Sequence, residues 1–287
     1  MLIGLLTLSH SRYVPGLLLN ALHSRLFKCV EYMFNVGKVY IIGAGPGDPG
    51  LVTVKAIRAL AEADVVVYDR LIPLEILNYA KRGAELIYVG KEPGRHTMEQ
   101  PEINQLLFEK AREGKVVARL HGGDPMVFSR GFEECEYLLT RGIPCEVIPG
   151  VTSAIAAPEQ YLIPILLRGV ASSVAIATGR EDPSKGVRMV DFRALAKAVN
   201  TIVVLMGASE ACRIARELIE GGLGEDTPVA IVTRAYMEGS RCVITNLGKL
   251  ASCGLAVENP SVIVVGKVVE RAVNLIKLAA PSQCTFF

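Results

Sequence analysis

Three segments of the chain combine glycines with a few polar side chains directly after short β-branched runs. The first is GAGPGDPG, residues 43–50, whose four glycines permit close backbone approach to a ligand. A dinucleotide fingerprint would place GxGxxG here, with a helix starting inside it. Gly43 and Gly45 fit that pattern, but position 48 is Asp, and Pro46 and Pro49 would disrupt the helix start that holds a pyrophosphate. A nicotinamide cofactor is therefore disfavoured. The second segment, RLHGGDPMVFSRGFEE, residues 119–134, exposes backbone groups at Gly122 and Gly123. Asp124 either accepts hydrogen bonds from a ligand ammonium or hydroxyl, or caps the following helix. The third, PGVTSAIAAP, residues 149–158, offers the hydroxyls of Thr152 and Ser153, again to a ligand or as a cap. Taken singly, each segment can also be read as a plain turn or strand-to-helix connection, a reading that weighs most for 149–158. Because each follows a strand end, the three together can line one pocket.

The elements that must hold these segments alternate. From Lys38 the runs KVYIIGAG, DVVVYD, AELIYVG, KVVARLH and CEVIPG read as strands, with helices over 53–63, 101–113 and 131–140. A composition break at 158–172 carries Pro158, Pro164 and Gly169. A second block follows, with strands SVAIATG, TIVVLMG, PVAIVTRA and SVIVVGKVV and helices over 191–199 and 209–220. Asp191 and Ser209 read as helix N-caps and Gly221 as a C-cap. Such alternation predicts mostly parallel sheets covered on both faces, which bind ligands beyond the carboxyl ends of their strands. The organisation predicted is an extension 1–36, an α/β domain 37–155, a hinge 156–169, an α/β domain 170–278 and a tail 279–287.

Composition narrows the function classes. Residues of the apolar set make up 51% of the 287 and charged residues 21%, which excludes a disordered chain. A net charge of +2 disfavours a dedicated nucleic-acid binder. No apolar run approaches the ~20 residues that cross a bilayer, so no membrane association is expected. The seven cysteines form no CxxC pair and the four histidines match no metal-ligand spacing, so no metal is expected. Free thiols and a cytoplasmic location are the corresponding expectations. MLIGLLTLSH lacks the basic start of a signal peptide, and the terminal CTFF lacks the aliphatic residues of a prenylation box. Residues 1–36 fit neither block, and Met33 is a natural start for the folded part.

The stretches VGKVYIIGAGPGDPGLVTVKA, ADVVVYDRL, AELIYVGK, RLHGGDPMVFSRGFEE, PGVTSAIAAP, RGVASS, VLMG and TPVAIV lie between Val36 and Val232, as parts of a likeness that runs from about Gly37 to Val269. In them the chain resembles the tetrapyrrole methyltransferase family, and YDRL with GGDP-x-VF-x-RG-x-EE resembles its members that act on uroporphyrinogen III. The resemblance implies a class III methyltransferase, with two α/β domains and an inter-domain cleft for S-adenosylmethionine, as a homodimer. It implies methylation of two pyrrole carbons, C-2 and C-7, to give precorrin-2 for sirohaem or cobalamin synthesis. Carried over by position, Pro46, Gly122, Gly123, Asp124, Val127, Thr152, Ser153, Met206 and Ala235 would contact the cofactor. Asp69 and Lys91 would handle protons, the plain alternatives being a turn residue and a solvated lysine. The substrate's eight carboxylates call for cations, and Arg70, Arg95, Arg119, Arg130 and Arg168 lie in or beside the motifs. Any one of them is more often a structural ion-pair partner, so none is ranked as catalytic. The chain departs from the family at His121, often Lys, at Phe132, often Gly, and at Leu166 and Leu167, often Thr-His. The last change bears on the substrate and leaves room for a methyltransferase acting on a later precorrin. A nicotinamide oxidoreductase and a binding module without turnover are the more distant alternatives.

Overall fold

The computed structural model describes residues 36–90, 98–181, 188–279 and 284–287. Lys91, Arg95, Cys29 and nearly all of the N-terminal extension lie outside the described residues.

The first sheet contains β1 (Lys38–Gly43), β2 (Val65–Tyr68), β3 (Glu85–Tyr88), β4 (Val116–His121) and β5 (Cys145–Ile148). Its order is β3-β2-β4-β1-β5, and every pairing is parallel. Three helices cover it: α1 (Val54–Glu62), α2 (Gln100–Arg112) and α3 (Gly131–Leu139). Successive side chains of a strand point to opposite faces. Tyr40 and Ile42 accordingly pack with Ala56 and Leu60 of α1, while Val39 and Ile41 pack with Leu107 of α2 and Leu138 of α3. Local signals set the helix starts. Thr53 Oγ1 accepts from the Ala56 amide at 3.2 Å, and Glu99 and Glu102 form a capping box at α2. Since β1, β2 and β4 run parallel, Gly43, Tyr68 and His121 end at one edge, which gathers the loops that follow them.

The second sheet contains β6 (Val174–Thr178), β7 (Thr201–Leu205), β8 (Pro228–Thr233), β9 (Arg241–Asn246), β10 (Ser261–Val265) and β11 (Cys284–Phe286), in the order β11-β9-β8-β10-β7-β6. Here the expected parallel pattern gives way to a mixed one. β6 with β7 and β9 with β11 are parallel, whereas β10 pairs antiparallel with both β7 and β8, and β8 with β9. The reason lies in the connections. Parallel neighbours need a crossover of about a dozen residues or more, and the link 234–240 between β8 and β9 allows only a hairpin.

The helices of this half are α4 (Ser153–Gln160), α5 (Phe192–Ala198), α6 (Ala211–Glu220), α7 (Leu247–Ala251) and α8 (Lys267–Ala279). Ala154 and Ala157 of α4 pack among Val203, Val232 and Val264 of the second sheet, so the expected boundary at 155/156 falls inside this helix. Asp191 caps α5, accepting from the Ala194 amide at 3.0 Å, and Gly221 ends α6 as anticipated. Ser209 does not cap α6; it lies within a 3₁₀ turn, Ala208–Glu210, that precedes it. Among the described residues no helix is long and apolar enough to cross a membrane.

The cysteine expectation needs correction. Cys135 is bonded to Cys145, and Cys212 to Cys253, while Cys242 and Cys284 are free and buried. Spacing motifs could not reveal these pairs. Cys135 meets Cys145 because α3 packs beside β5, and Cys212 meets Cys253 because α6 packs against α7 and the turn after it.

Candidate active site

At the carboxyl edge of the first sheet the glycine segments meet. Gly45 and Gly123 form an isolated antiparallel bridge. Both have positive φ, +76° and +69°, a region that favours glycine. The neighbouring backbone is as tight: a Cβ on Gly150 would lie 2.3 Å from the Gly123 carbonyl oxygen, and one on Gly122 would lie 2.5 Å from that of Leu71. A Cβ on Gly123 itself would meet nothing nearer than 3.8 Å. That is an ordinary contact distance, and the glycine borders an open space.

The space is a cavity of about 450 Å³. Pro46, Arg70, Leu71, Gly122, Gly123, Val127 and Phe128 line it from the first half, Ser153 from the start of α4. Arg180, Leu205, Met206, Val232, Ala235 and Val262 close it from the second sheet. Among the described residues the lining holds two cations, Arg70 and Arg180, and no carboxylate. Unusual backbone clusters here as well. Met206 (φ +54°) and Phe128 (φ +50°) line the cavity, and Arg234 (+53°) and Tyr236 (+58°) flank Ala235. Such conformations cost ~1–3 kcal/mol each and gather at functional sites.

Of the residues assigned to the cofactor by resemblance, the cavity brings together Pro46, Gly122, Gly123, Val127, Ser153, Met206 and Ala235. Asp124 and Thr152 are not among the lining residues. Asp124 Oδ1 accepts from the Met126 amide at 2.8 Å and Oδ2 from the Gly150 amide at 3.1 Å, which ties two of the glycine segments together. Thr152 caps α4 by accepting from the Ala154 amide at 3.3 Å. Asp69 lies at the rim just after β2. Its Oδ1 accepts from the Leu71 amide at 3.2 Å, which shapes the turn that presents Arg70 and Leu71.

Behind the rim lies a buried polar network. Arg119 Nη2 donates to Asp69 Oδ2 at 3.4 Å and Arg119 Nε to Glu134 Oε1 at 3.2 Å. Glu134 Oε2 lies 2.7 Å from His121 Nε2, and His121 Nδ1 lies 2.9 Å from Ser129 Oγ. Gln100 Nε2 donates to Glu134 Oε1 at 3.0 Å. Glu134 is fully buried, and burial alone would raise its carboxyl pKa. The hydrogen bond and charge of His121, the charge of Arg119 and the Gln100 amide outweigh that and hold it below its usual value. Arg119, a candidate for substrate carboxylates by sequence, is only 4% exposed and already paired. Arg130 is exposed, with Nη1 2.7 Å from Glu133, and Arg168 does not line the cavity.

Several lining residues escaped the sequence reading. Arg180 follows a strand end and was findable by the rule that located the glycine segments. Asn259, Pro260 and Ser261 were not, because Asn259 and Pro260 precede a strand and Ser261 opens it. They reach the cavity because β10 is antiparallel, which sets its start beside the ends of β7 and β8, with Val262 opposite Leu205 and Ser261 opposite Thr233.

Sheet and cavity together define an α/β enzyme that takes a small organic ligand on a floor of glycine backbone, between strand ends of two sheets. The family model of the Tetrapyrrole (Corrin/Porphyrin) Methylases matches residues 38–251. The chain belongs to this family and has its fold. It is 50% identical over 237 residues to the uroporphyrinogen-III C-methyltransferase of Methanocaldococcus jannaschii, covering 81% of this chain and 97% of that protein. To the uroporphyrinogen-III C-methyltransferase of Bacillus subtilis it is 45% identical, over 82% of this chain and 91% of that one. A crystal structure of uroporphyrin-III C-methyl transferase from Thermus thermophilus, complexed with S-adenyl homocysteine, superposes with a TM-score of 0.71 at 42% identity. That match covers 82% of this chain and 94% of the other.

Proposed function

We propose that this chain is an S-adenosylmethionine-dependent C-methyltransferase that converts uroporphyrinogen III to precorrin-2. The observation that carries the reading is the cavity lining: glycine backbone and small or apolar side chains from both sheets, at positions the family assigns to the donor, with no carboxylate among the described lining residues. A volume of about 450 Å³ suits a small organic ligand. When bound, S-adenosylmethionine supplies a methyl group on a cationic sulfur. A carboxylate in contact with that cation would stabilise the ground state and slow transfer, so Val127, Met206 and Leu205 are suitable neighbours. The open backbone of Gly122 and Gly123 and the amide and hydroxyl of Ser153 would hold the polar parts.

Asp69, at the rim, accepts the proton that the macrocycle sheds, and Lys91 is its partner in proton handling. Arg70 and Arg180 form no ion pair with any described residue, so both are available to substrate carboxylates. We further take the sheets as two domains with the hinge near 156–169, the assembly as a homodimer and the location as cytoplasmic. Exposed Phe132 and Leu139 on α3 favour self-association.

The test is incubation with uroporphyrinogen III and S-adenosylmethionine, with products read by mass after oxidation. Gain of two methyl groups supports the reading. Absence of methylated product, or methylation of a later precorrin only, overturns it.

A further inference from the structure

Glu134 is the most deeply buried charge among the described residues, with no exposed surface, and the chemistry above makes no use of it. Its two oxygens hold three side chains: Arg119 and Gln100 on Oε1, His121 on Oε2. Arg119 and His121 both lead to the cavity. Arg119 reaches Asp69 at the rim, and also donates from Nη1 to the Leu120 carbonyl at 3.0 Å. His121 directly precedes Gly122 and Gly123, and its other nitrogen meets Ser129, next to the cavity residues Val127 and Phe128. One carboxylate therefore connects the ends of β2 and β4 and the loop before α3.

Stability is a weak reason for such a group. Buried ion pairs are often matched or bettered by apolar residues of similar size, because desolvation offsets their attraction. Geometry is the stronger reason. Arg119 has a planar fork, and with Nε fixed on Glu134 its Nη2 can point in only a narrow range of directions. We infer that Glu134 is a positioning residue for methyl transfer: it anchors Arg119 so that the Asp69 carboxylate is held in one orientation at the cavity rim. The inference rests on the proposed reading of Asp69 as the proton acceptor.

The experiment is a double-mutant cycle on kcat, run on the full chain with uroporphyrinogen III and S-adenosylmethionine. Glu134→Gln should lower kcat by on the order of 10–10²-fold, as misplacement of a reacting group by ~1 Å does. KM for uroporphyrinogen and the affinity for S-adenosylhomocysteine should stay within about threefold. Asp69→Asn/Glu134→Gln should be no slower than Asp69→Asn alone, because Glu134 then has nothing left to position. Multiplying losses would mean that Glu134 acts elsewhere and would overturn the inference, as would a fully active Glu134→Gln protein. If Glu134→Gln does not fold, Arg119→Lys takes its place. It keeps the buried positive charge, but one ammonium cannot hold both carboxylates in the same way, and the same non-additivity with Asp69→Asn is expected. The two possible failures separate cleanly. An unmodified chain that transfers no methyl overturns the proposed function and this inference with it. An active unmodified chain with multiplying losses overturns the inference alone.

Discussion

Gly45 and Gly123 exchange both of their backbone hydrogen bonds, at 3.2 and 2.7 Å, although they belong to loops that follow different strands. This small bridge fuses two glycine segments into the floor of the cavity. Gly123 has φ +69°, and a Cβ there would make only ordinary contacts, at 3.8 Å from the Ser153 nitrogen and the Thr152 Cα, at the cavity wall. Gly123→Ala should therefore fold, at a backbone cost of about 1–2 kcal/mol, or roughly 2–8 °C in Tm. S-adenosylhomocysteine binding should weaken at the same time, because the new methyl stands in the cavity. Gly150→Ala should be far more damaging to the fold, since its Cβ would lie 2.3 Å from the Gly123 carbonyl oxygen. Calorimetric melting beside titration calorimetry separates the two effects, and a Gly123→Ala protein with wild-type affinity would show that this glycine serves the turn alone.

Ligand choice follows from Asp48. Its Oδ1 accepts from the Gly50 amide at 2.7 Å, capping the 3₁₀ turn Pro49–Leu51 and occupying a donor that a pyrophosphate would need. The protein should bind S-adenosylhomocysteine and not NAD. Titration that gave heat with NAD and none with S-adenosylhomocysteine would sink the assignment.

Asp69→Asn keeps the hydrogen bond to the Leu71 amide through its carbonyl oxygen but removes the base. Turnover should fall by ~10²–10⁴-fold, as general acid–base groups contribute. S-adenosylhomocysteine affinity should change little, because Asp69 stands at the rim and not among the cavity-lining residues. Full activity across the pH range would reduce Asp69 to a turn residue.

Arg70 and Arg180 reach the cavity from opposite sheets. Both are exposed, so each contact with a substrate carboxylate is worth about 1 kcal/mol and its loss roughly fivefold in KM. Arg70→Gln and Arg180→Gln should raise KM for uroporphyrinogen III with kcat near that of the unmodified enzyme. A rise in the S-adenosylhomocysteine dissociation constant instead would place the affected arginine on the donor's own carboxylate.

Glu134 predicts an acid response. Its folded pKa lies below the ordinary 4.5, so its contribution to stability is full above that value and is lost as pH falls through the lower, folded one. Stability should therefore drop on acidification below about pH 4.5, and Glu134→Gln should flatten that part of the curve. Denaturant unfolding at stepped pH provides the check; identical slopes for the two proteins would remove Glu134 from the acid response.

Much of the first sheet was legible because its strands are apolar runs between helices with capping residues, and parallel connection forces their ends to one edge. That edge makes the segments that hold Pro46, Gly122, Gly123 and Ser153 recognisable as neighbours from strand order alone. What strand ends cannot convey is which groups face the ligand and which hold the loops. Asp124 and Thr152 read in sequence either as ligand contacts or as caps, and the structure shows cap-type bonds, from the Met126 and Gly150 amides to Asp124 and from the Ala154 amide to Thr152. The helix SAIAAPEQ and strand β9 carried too little periodicity to announce themselves, and with them went the mixed order of the second sheet. Antiparallel β10 then brought Asn259 to Ser261 into the cavity from the start of a strand. The disulfides and the network centred on Glu134 are long-range contacts of the same kind. Sequence periodicity fixes which residues share a face of one element, whereas the pairing of elements decides which faces meet, and that is settled by tertiary packing.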